Sequence, residues 1–283
     1  MKQSGGKANG AFLYVIIIMI RDGVIPADAA GYRKDLTADL KKLNVKRKWK
    51  IIVLIAVTAT MLAAASVYMV TFSHADSSAK AALITDETVS VTRTRYGWFF
   101  DGPSGDDILV FYPGGKVESS AYAPLLHRLA EQGMDVCLVK MPFHLAVFGA
   151  DKAYDVLGEY GHKNRYVGGH SLGGAIAANY AAEHADQLKG VILLAAYPTK
   201  PVSDRLIMVS IYGSEDGVLN MDRYNRSRRY RPIIYFEYVI EGGNHAQFGC
   251  YGKQKGDLDA QISSGEQQEL TVDYIIQRVE KWR

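Results

Sequence analysis

The sequence predicts an α/β protein built on a mostly parallel, doubly wound sheet, preceded by a single N-terminal apolar helix long enough to span a membrane. Three observations carry this. Along residues 85–283, short apolar runs of strand length alternate with helical patterns, the order that βαβ units produce. The run Ile108–Tyr112 is continuously apolar, as a strand covered on both faces must be. Residues 51–72 hold no charged side chain, and at about 1.5 Å per residue they reach roughly 30 Å as a helix, the thickness of a hydrocarbon core.

The chain is then read in order. Residues 1–50 are expected to be a cytoplasmic N-terminal segment. Within it, the apolar run Ala11–Ile20 is too short to cross a bilayer, which takes about 20 residues. It is open between a signal-peptide core, a buried or interfacial segment, and no element. Asp35–Leu43 is a short charged, weakly amphipathic stretch. Lys41, Lys42, Lys46, Arg47, Lys48 and Lys50 cluster just before the apolar helix, so the positive-inside rule places the N-terminus in the cytoplasm. Val45–Lys50 also resembles the basic start of an ordinary membrane anchor, which makes a translation start near it the expectation. Residues 51–72 are expected to be a transmembrane anchor. The competing reading is a cleaved secretory signal with a small-residue site at Ser73–Ala75. Either reading puts everything beyond residue 75 outside the cytoplasm. Residues 73–84 read as a juxtamembrane linker and residues 85–283 as the globular domain.

In that domain Glu87–Arg93 and Tyr96–Asp101 alternate like a strand pair, and Gly102–Asp107 is a turn cluster. Ile108–Tyr112 is a buried strand, Ala121–Glu131 an amphipathic helix, and Val136–Val139 the next buried strand. Asp151–Tyr160 reads as a helix, Tyr166–Gly168 as a strand and Leu172–His184 as a helix. Val191–Ala195, Leu206–Tyr212 and Ile233–Val239 are further buried-strand candidates, and Gln267–Trp282 closes the chain as a helix.

Composition excludes several classes. A hydrophobic fraction of 48% with 22% charged residues is that of a globular protein, and a net charge of +3 gives no argument for nucleic acid. The two cysteines, Cys137 and Cys250, make neither a zinc spacing nor a disulfide framework. Cys137 lies mid-strand and Cys250 in a loop, so a bond between them is disfavoured.

The chemistry centres on Gly169-His170-Ser171-Leu172-Gly173. Read as a nucleophile elbow, a strand ends at Gly168, a helix begins past Ser171, and the serine sits strained between them. The glycines allow strand and helix to approach, and the alanines at 175, 177, 178, 181 and 182 favour a closely packed helix. The Leu172 N–H at the helix start suits an oxyanion. On the five residues alone, a plain Gly/Ser turn is an equal reading. What favours an enzyme is the alanine run, together with an acid and a base that follow in the order serine, acid, histidine.

Three loops lie at the carboxyl ends of expected strands, where α/β sheets place their sites. Tyr112–Val117 offers a second oxyanion N–H, from Gly115 or Lys116, against a plain Pro-Gly turn. Gly213–Gly217 holds Glu215 and Asp216, against a solvated acidic turn. Asp216 is the expected acid, because Glu215 should project to the opposite side of the turn and Asp222 falls in the next segment. Glu241–Gly249 carries His245, suited to act as general base. Of the other histidines, His170 is expected to point away from the nucleophile. His144 either lines the pocket or is structural, and His127 and His184 are helical. Arg223, Arg226, Arg228, Arg229 and Arg231 read as a solvated helix face, with contact to anionic polymer or headgroups as the functional alternative.

Four stretches carry a resemblance: Phe-Tyr-Pro-Gly-Gly-Lys-Val at 111–117, Lys-Met-Pro-Phe-His-Leu-Ala-Val-Phe at 140–148, Gly-Gly-His-Ser-Leu-Gly-Gly at 168–174, and Gly-Gly-Asn-His-Ala-Gln-Phe-Gly at 242–249. Through them, residues 85–283 resemble the α/β-hydrolase superfamily, and most closely its small, lidless fold-5 branch in bacteria. The resemblance implies a Ser171–Asp216–His245 triad, an oxyanion hole near Gly115, and no metal or organic cofactor. It departs from lipases in lacking a His-Gly-Gly-Gly loop. Cys250 also stands where relatives usually carry an acid, which bears on how the histidine loop is held. The expected function is a membrane-anchored extracytoplasmic serine hydrolase of ester-like acyl bonds. Its partners would be a small-molecule acyl ester and the bilayer, with no nucleic acid. The rivals are acyl transfer on the same triad and a non-catalytic surface binding domain. The short stretch between the elbow helix and the acid loop leaves no room for a large cap, which favours short or exposed acyl groups.

Overall fold

The computed structural model describes residues 18–19 and 30–282, which divide into two units between Val67 and Tyr68. The first expectation for the N-terminal segment falls largely outside them, since only Ile18 and Met19 of the run at 11–20 are described. Helix α1 runs without a break from Ala30 to Val70. It therefore begins well before residue 51, because the Leu- and Lys-rich stretch ahead of the apolar segment is itself a good helix former. Its part Lys41–Val70 contains an 18-residue window of mean hydropathy 2.3 and is long and apolar enough to cross a membrane. Within it, the hydroxyls of Thr58, Thr60 and Ser66 donate to the carbonyls of Leu54, Ala56 and Leu62 at 2.8, 2.9 and 2.8 Å. These polar groups are thus satisfied inside the helix, as an apolar surrounding demands.

The second unit opens with α2 (Ser77–Ala81), capped by the Asp76 carboxylate, which accepts from the Ala79 N–H at 3.0 Å. Ala75 and Ala79 are buried, so part of the stretch expected as a linker packs onto the domain. Strands β1 (Ser90–Arg93) and β2 (Gly97–Asp101) pair antiparallel, as expected. There follow β3 (Asp107–Tyr112), α3 (Ala123–Glu131), β4 (Met134–Val139), α4 (Lys152–Glu159), β5 (Asn164–His170), α5 (Leu172–Glu183) and β6 (Gly190–Leu194). Strand β7 (Ile207–Gly213), α6 (Met221–Arg226), β8 (Ile234–Ile240) and α7 (Ser264–Val279) complete the domain. The sheet has eight strands in the order β1-β2-β4-β3-β5-β6-β7-β8. From β4 to β8 every pairing is parallel, and β2 joins β4 antiparallel.

Alternation along the strands builds two cores. Leu109 and Phe111 of β3 and Val136 and Leu138 of β4 pack on one face with Leu125 of α3 and Ile275 of α7. Ile108 and Val110, with Cys137 and Val139, pack on the other against Val156 of α4 and Ala177 of α5. Continuous apolar runs are thus what a sheet covered on both sides requires.

Two local expectations change. Strand β5 extends to His170, two residues beyond Gly168, because its ladder with β6 continues through His170 opposite Leu194. Strand β8, expected to be buried, is an edge strand in which only Ile240 is fully covered. With one neighbour, its inner aromatics are covered instead by α7, where Tyr274 stacks on Tyr238 at 4.1 Å and Arg278 lies 4.5 Å over Phe236. Cys137 and Cys250 are both free and buried.

Candidate active site

The β5–α5 turn holds Ser171 at φ 52°, ψ −121°, a left-handed conformation that costs a non-glycine residue about 1–3 kcal/mol. The Ser171 N–H donates to the Leu194 carbonyl at 2.9 Å, pinning the turn to β6. Glycine is needed beside it: a Cβ on Gly173 would stand 2.2 Å from the Tyr112 carbonyl oxygen and 2.3 Å from that of Pro113. The loop after β3 therefore crosses directly over the elbow. Leu172 is the first residue of α5, so its N–H has no acceptor within the helix.

The loop after β3 separates the two expected oxyanion donors. The Lys116 N–H donates to the His144 carbonyl at 2.8 Å, and Lys116 sits at φ 62°, so its N–H ties this loop to the loop after β4 and is not available to a substrate. Gly115 lies against the elbow, with its α-carbon substituent position 3.0 Å from Leu172 Cδ2. The loop is braced from below. The Gly114 N–H donates to the Tyr122 hydroxyl at 3.0 Å, and that hydroxyl shares a hydrogen bond of 2.8 Å with His170 Nδ1.

His170, expected to point away from the nucleophile, is engaged in this support through Nδ1 and lies 4.5 Å, centroid to centroid, from His245. Burial, and then the nearby His245, holds its pKa well below the ordinary imidazole value. A neutral ring therefore sits beside His245 and adds no competing charge.

The structure brings Asp216 and His245 together. His245 Nδ1 donates to the Asp216 carboxylate, with oxygens at 3.0 and 2.9 Å, and the two side chains are 1% and 2% exposed. Asp216 Oδ1 also accepts from the Val218 and Leu219 N–H groups at 2.9 and 2.7 Å, which fixes its rotamer. Glu215 turns elsewhere, accepting from Gln261 Nε2 at 3.1 Å, and Asp222 is exposed on α6. The acid and histidine turns touch through Gly213, where a Cβ would meet the Gly243 carbonyl oxygen at 2.1 Å. With Nδ1 committed, His245 Nε2 is buried and has no hydrogen-bond partner among the described residues. His245 and Ser171 line one cavity of about 330 Å³, together with Leu172, Ala196, Val218, Leu219 and Arg223.

Sequence reading missed Asp257. Its Oδ1 accepts from the His245 N–H at 3.2 Å and the Gly217 N–H at 3.1 Å, while Oδ2 accepts from the Ala246 N–H at 2.9 Å. One carboxylate thus clasps the acid and histidine turns. Cys250 instead lies 3.4 Å from Gln268 Nε2. Asp257→Ala should lower stability by about 1.5–3 kcal/mol, the scale of hydrogen bonds to a charged group. It should also cut turnover through a misplaced His245. Thermal melts alongside ester kinetics check this; unchanged values for both would remove Asp257 from the site's support.

The remaining expectations resolve as follows. His144 does not line the Ser171 cavity; it stacks on Phe72 at 3.9 Å. His127 is held between Asp86 and Glu131 at 3.3 and 3.2 Å. These three are the group among the described residues close enough to hold a cation, yet both imidazole nitrogens already face carboxylates and none of the three lines the Ser171 cavity. Of the five arginines after the acid loop, Arg231 is structural, paired with Glu237 at 3.0 Å and 4.2 Å over the Tyr235 ring.

Comparison with known proteins adds a family and a fold. A sequence model described as the alpha/beta hydrolase family matches residues 108–269. No curated protein matches. Among solved structures, carboxyl esterase 2 of the mycorrhizal fungus Tuber melanosporum is similar with a TM-score of 0.53 at 12% identity, covering 75% of this chain and 91% of that one. TT1662 of Thermus thermophilus gives 0.52 at 14% identity, with 69% and 98% covered. A soluble variant of the Saccharomyces cerevisiae monoglyceride lipase gives 0.50 at 11% identity, with 71% and 96% covered.

Proposed function

Because this chain belongs to the alpha/beta hydrolase family, we propose that it is a serine hydrolase that cleaves an ester-like acyl bond through Ser171, His245 and Asp216. The observation that carries the reading is His245, with Nδ1 on a buried carboxylate, Nε2 without a hydrogen-bond partner among the described residues, and the residue itself lining one cavity with Ser171. Ser171 Oγ attacks the acyl carbonyl while His245 Nε2 takes its proton, and the Asp216 carboxylate stabilises the imidazolium that forms. The tetrahedral oxyanion accepts hydrogen bonds from the Leu172 and Gly115 N–H groups. Collapse expels the alcohol, which receives the proton from His245. Water then repeats the sequence on the acyl-enzyme, releasing the acid and restoring Ser171. A volume of about 330 Å³ favours a short acyl group.

Residues 51–72, of which 51–70 lie within α1, act as the anchor in this reading. The basic cluster at residues 41–50 keeps the N-terminus cytoplasmic and residues 85–283 outside it. Cleavage after a signal would give the same compartment without the tether. Acyl transfer, with a second alcohol in place of water, is the rival on the same residues.

A fluorophosphonate probe followed by an ester panel of graded acyl length tests the proposal. The expected result is labelling at Ser171 and fastest turnover of short acyl esters. No labelling would favour a binding domain that keeps the fold, and a preference for long-chain triglyceride emulsions would contradict the short cleft.

A further inference from the structure

The loop after β4 is folded in a way that soluble packing does not explain. Phe143, Val147 and Phe148 are 53%, 49% and 59% exposed, on two adjacent single turns, Pro142–His144 and Ala146–Phe148. Phe143 and Phe148 meet edge to face at 5.5 Å, so they form one apolar knob. Phe143 and His144 both sit in the left-handed region, at φ 54° and 55°. The backbone is thus held in a strained form that turns an aromatic ring outward.

The loop is also strapped to the chain leaving α1. Phe72, two residues past the end of that helix, stacks on His144 at 3.9 Å. The Ser73 N–H donates to the Lys116 carbonyl at 2.8 Å, and the Ser73 carbonyl accepts from the Glu118 N–H at 2.9 Å, both in the loop after β3, which the Lys116 N–H joins to the His144 carbonyl at 2.8 Å. Val70 and Ser73 are three residue steps apart, which at up to about 3.6 Å each allows roughly 11 Å of chain. A helix end at a bilayer surface therefore cannot lie far from this loop.

Charge points the same way. Phe72 and His144 line a second cavity, of about 670 Å³, with Lys80, Arg93 and Lys140. The acid on its wall, Glu118, is already occupied by the Ala75 N–H at 3.1 Å and the Ser120 hydroxyl at 2.7 Å. Arg95, also on the wall, is paired with Glu159. Lys80, Arg93 and Lys140 have no carboxylate partner among the described residues. Apolar side chains bordered by cations are the composition of a surface that sits in an anionic lipid interface.

We propose that Phe143, Val147 and Phe148 insert into the headgroup layer of an anionic bilayer, with the neighbouring basic cavity taking a lipid phosphate. The surface rests on the reading of α1 as an anchor and is independent of the triad. Its loop leaves the carboxyl end of β4, the same sheet edge from which β5 leads into Ser171. Docking therefore holds the mouth of the site against the lipid surface and selects esters of membrane-resident amphiphiles.

The test uses the full chain in nanodiscs of phosphatidylcholine with phosphatidylglycerol. Phe148→Cys is labelled with an environment-sensitive dye; Cys137 and Cys250 are buried and serve as the unlabelled background. Ile233→Cys is the reference, since Ile233 is 82% exposed and precedes β8 at the opposite edge of the sheet. The expected result is several-fold stronger quenching at position 148 than at 233 by a quencher carried on lipid chains, with the reverse order for aqueous iodide. Equal iodide quenching at both positions overturns the inference. So does a chain that stays out of the discs, because the tether is then lost. Paired Arg93→Glu and Lys140→Glu substitutions, with an unchanged melt, should remove the difference; its persistence overturns the phosphate-binding cavity.

Discussion

Ser171→Ala is expected to lower ester turnover by about 10⁶-fold, the loss seen when the nucleophile of such a triad is removed. Thermal stability should stay within about 0.5 kcal/mol, as for a substitution that leaves packing untouched. The reasoning is local. Serine already occupies the left-handed backbone position, so alanine inherits the same strain without adding to it. The turn is pinned by the backbone N–H of residue 171 to Leu194, which the substitution keeps. Only the hydroxyl is lost. Residual turnover of a short-chain ester, measured with the melt of the same preparation, checks both halves. More than about 1% of wild-type activity would move the nucleophile elsewhere, since oxyanion stabilisation and binding alone leave only about 10³–10⁴ over water.

Asp216→Asn is expected to keep the fold and lower turnover by about 10⁴-fold, through the wrong histidine tautomer. The structure says which tautomer and why. Oδ1 of residue 216 must go on accepting from the Val218 and Leu219 N–H groups at 2.9 and 2.7 Å. That keeps the carboxamide oxygen on their side and turns its NH₂ toward His245 Nδ1. Nδ1 must then accept, so the ring proton moves to Nε2, the atom that has to take the proton of Ser171. Glu215→Gln should change turnover by less than roughly tenfold, because that side chain faces Gln261. Comparison of kcat for the two variants decides the assignment, and the reverse order would transfer the acid to Glu215.

What sequence alone determined was whatever depends on neighbours along the chain. Strand and helix runs were legible because alternation and helical periodicity are local. The elbow was legible because close backbone approach at Ser171 leaves glycine as the residue at 169 and 173. That Asp216, not Glu215, would face His245 followed from which side of one turn each residue occupies. The apolar helix needed only length and the absence of charge.

Tertiary structure decided what depends on residues far apart in the chain. Strand β8 reads as apolar but becomes an edge, because strand order is set by pairing and crossovers, not by its own composition. Lys116 lost its N–H to His144, a contact made only when the loops after β3 and β4 meet. His170 looked idle until Tyr122 and Gly114, more than 45 residues earlier, reached it through the folded sheet. Asp257 gave no signal at all in sequence. Its role exists only because the chain returns from the histidine turn to place one carboxylate under the N–H groups of two separate loops, and a hydrogen bond depends on distance in space.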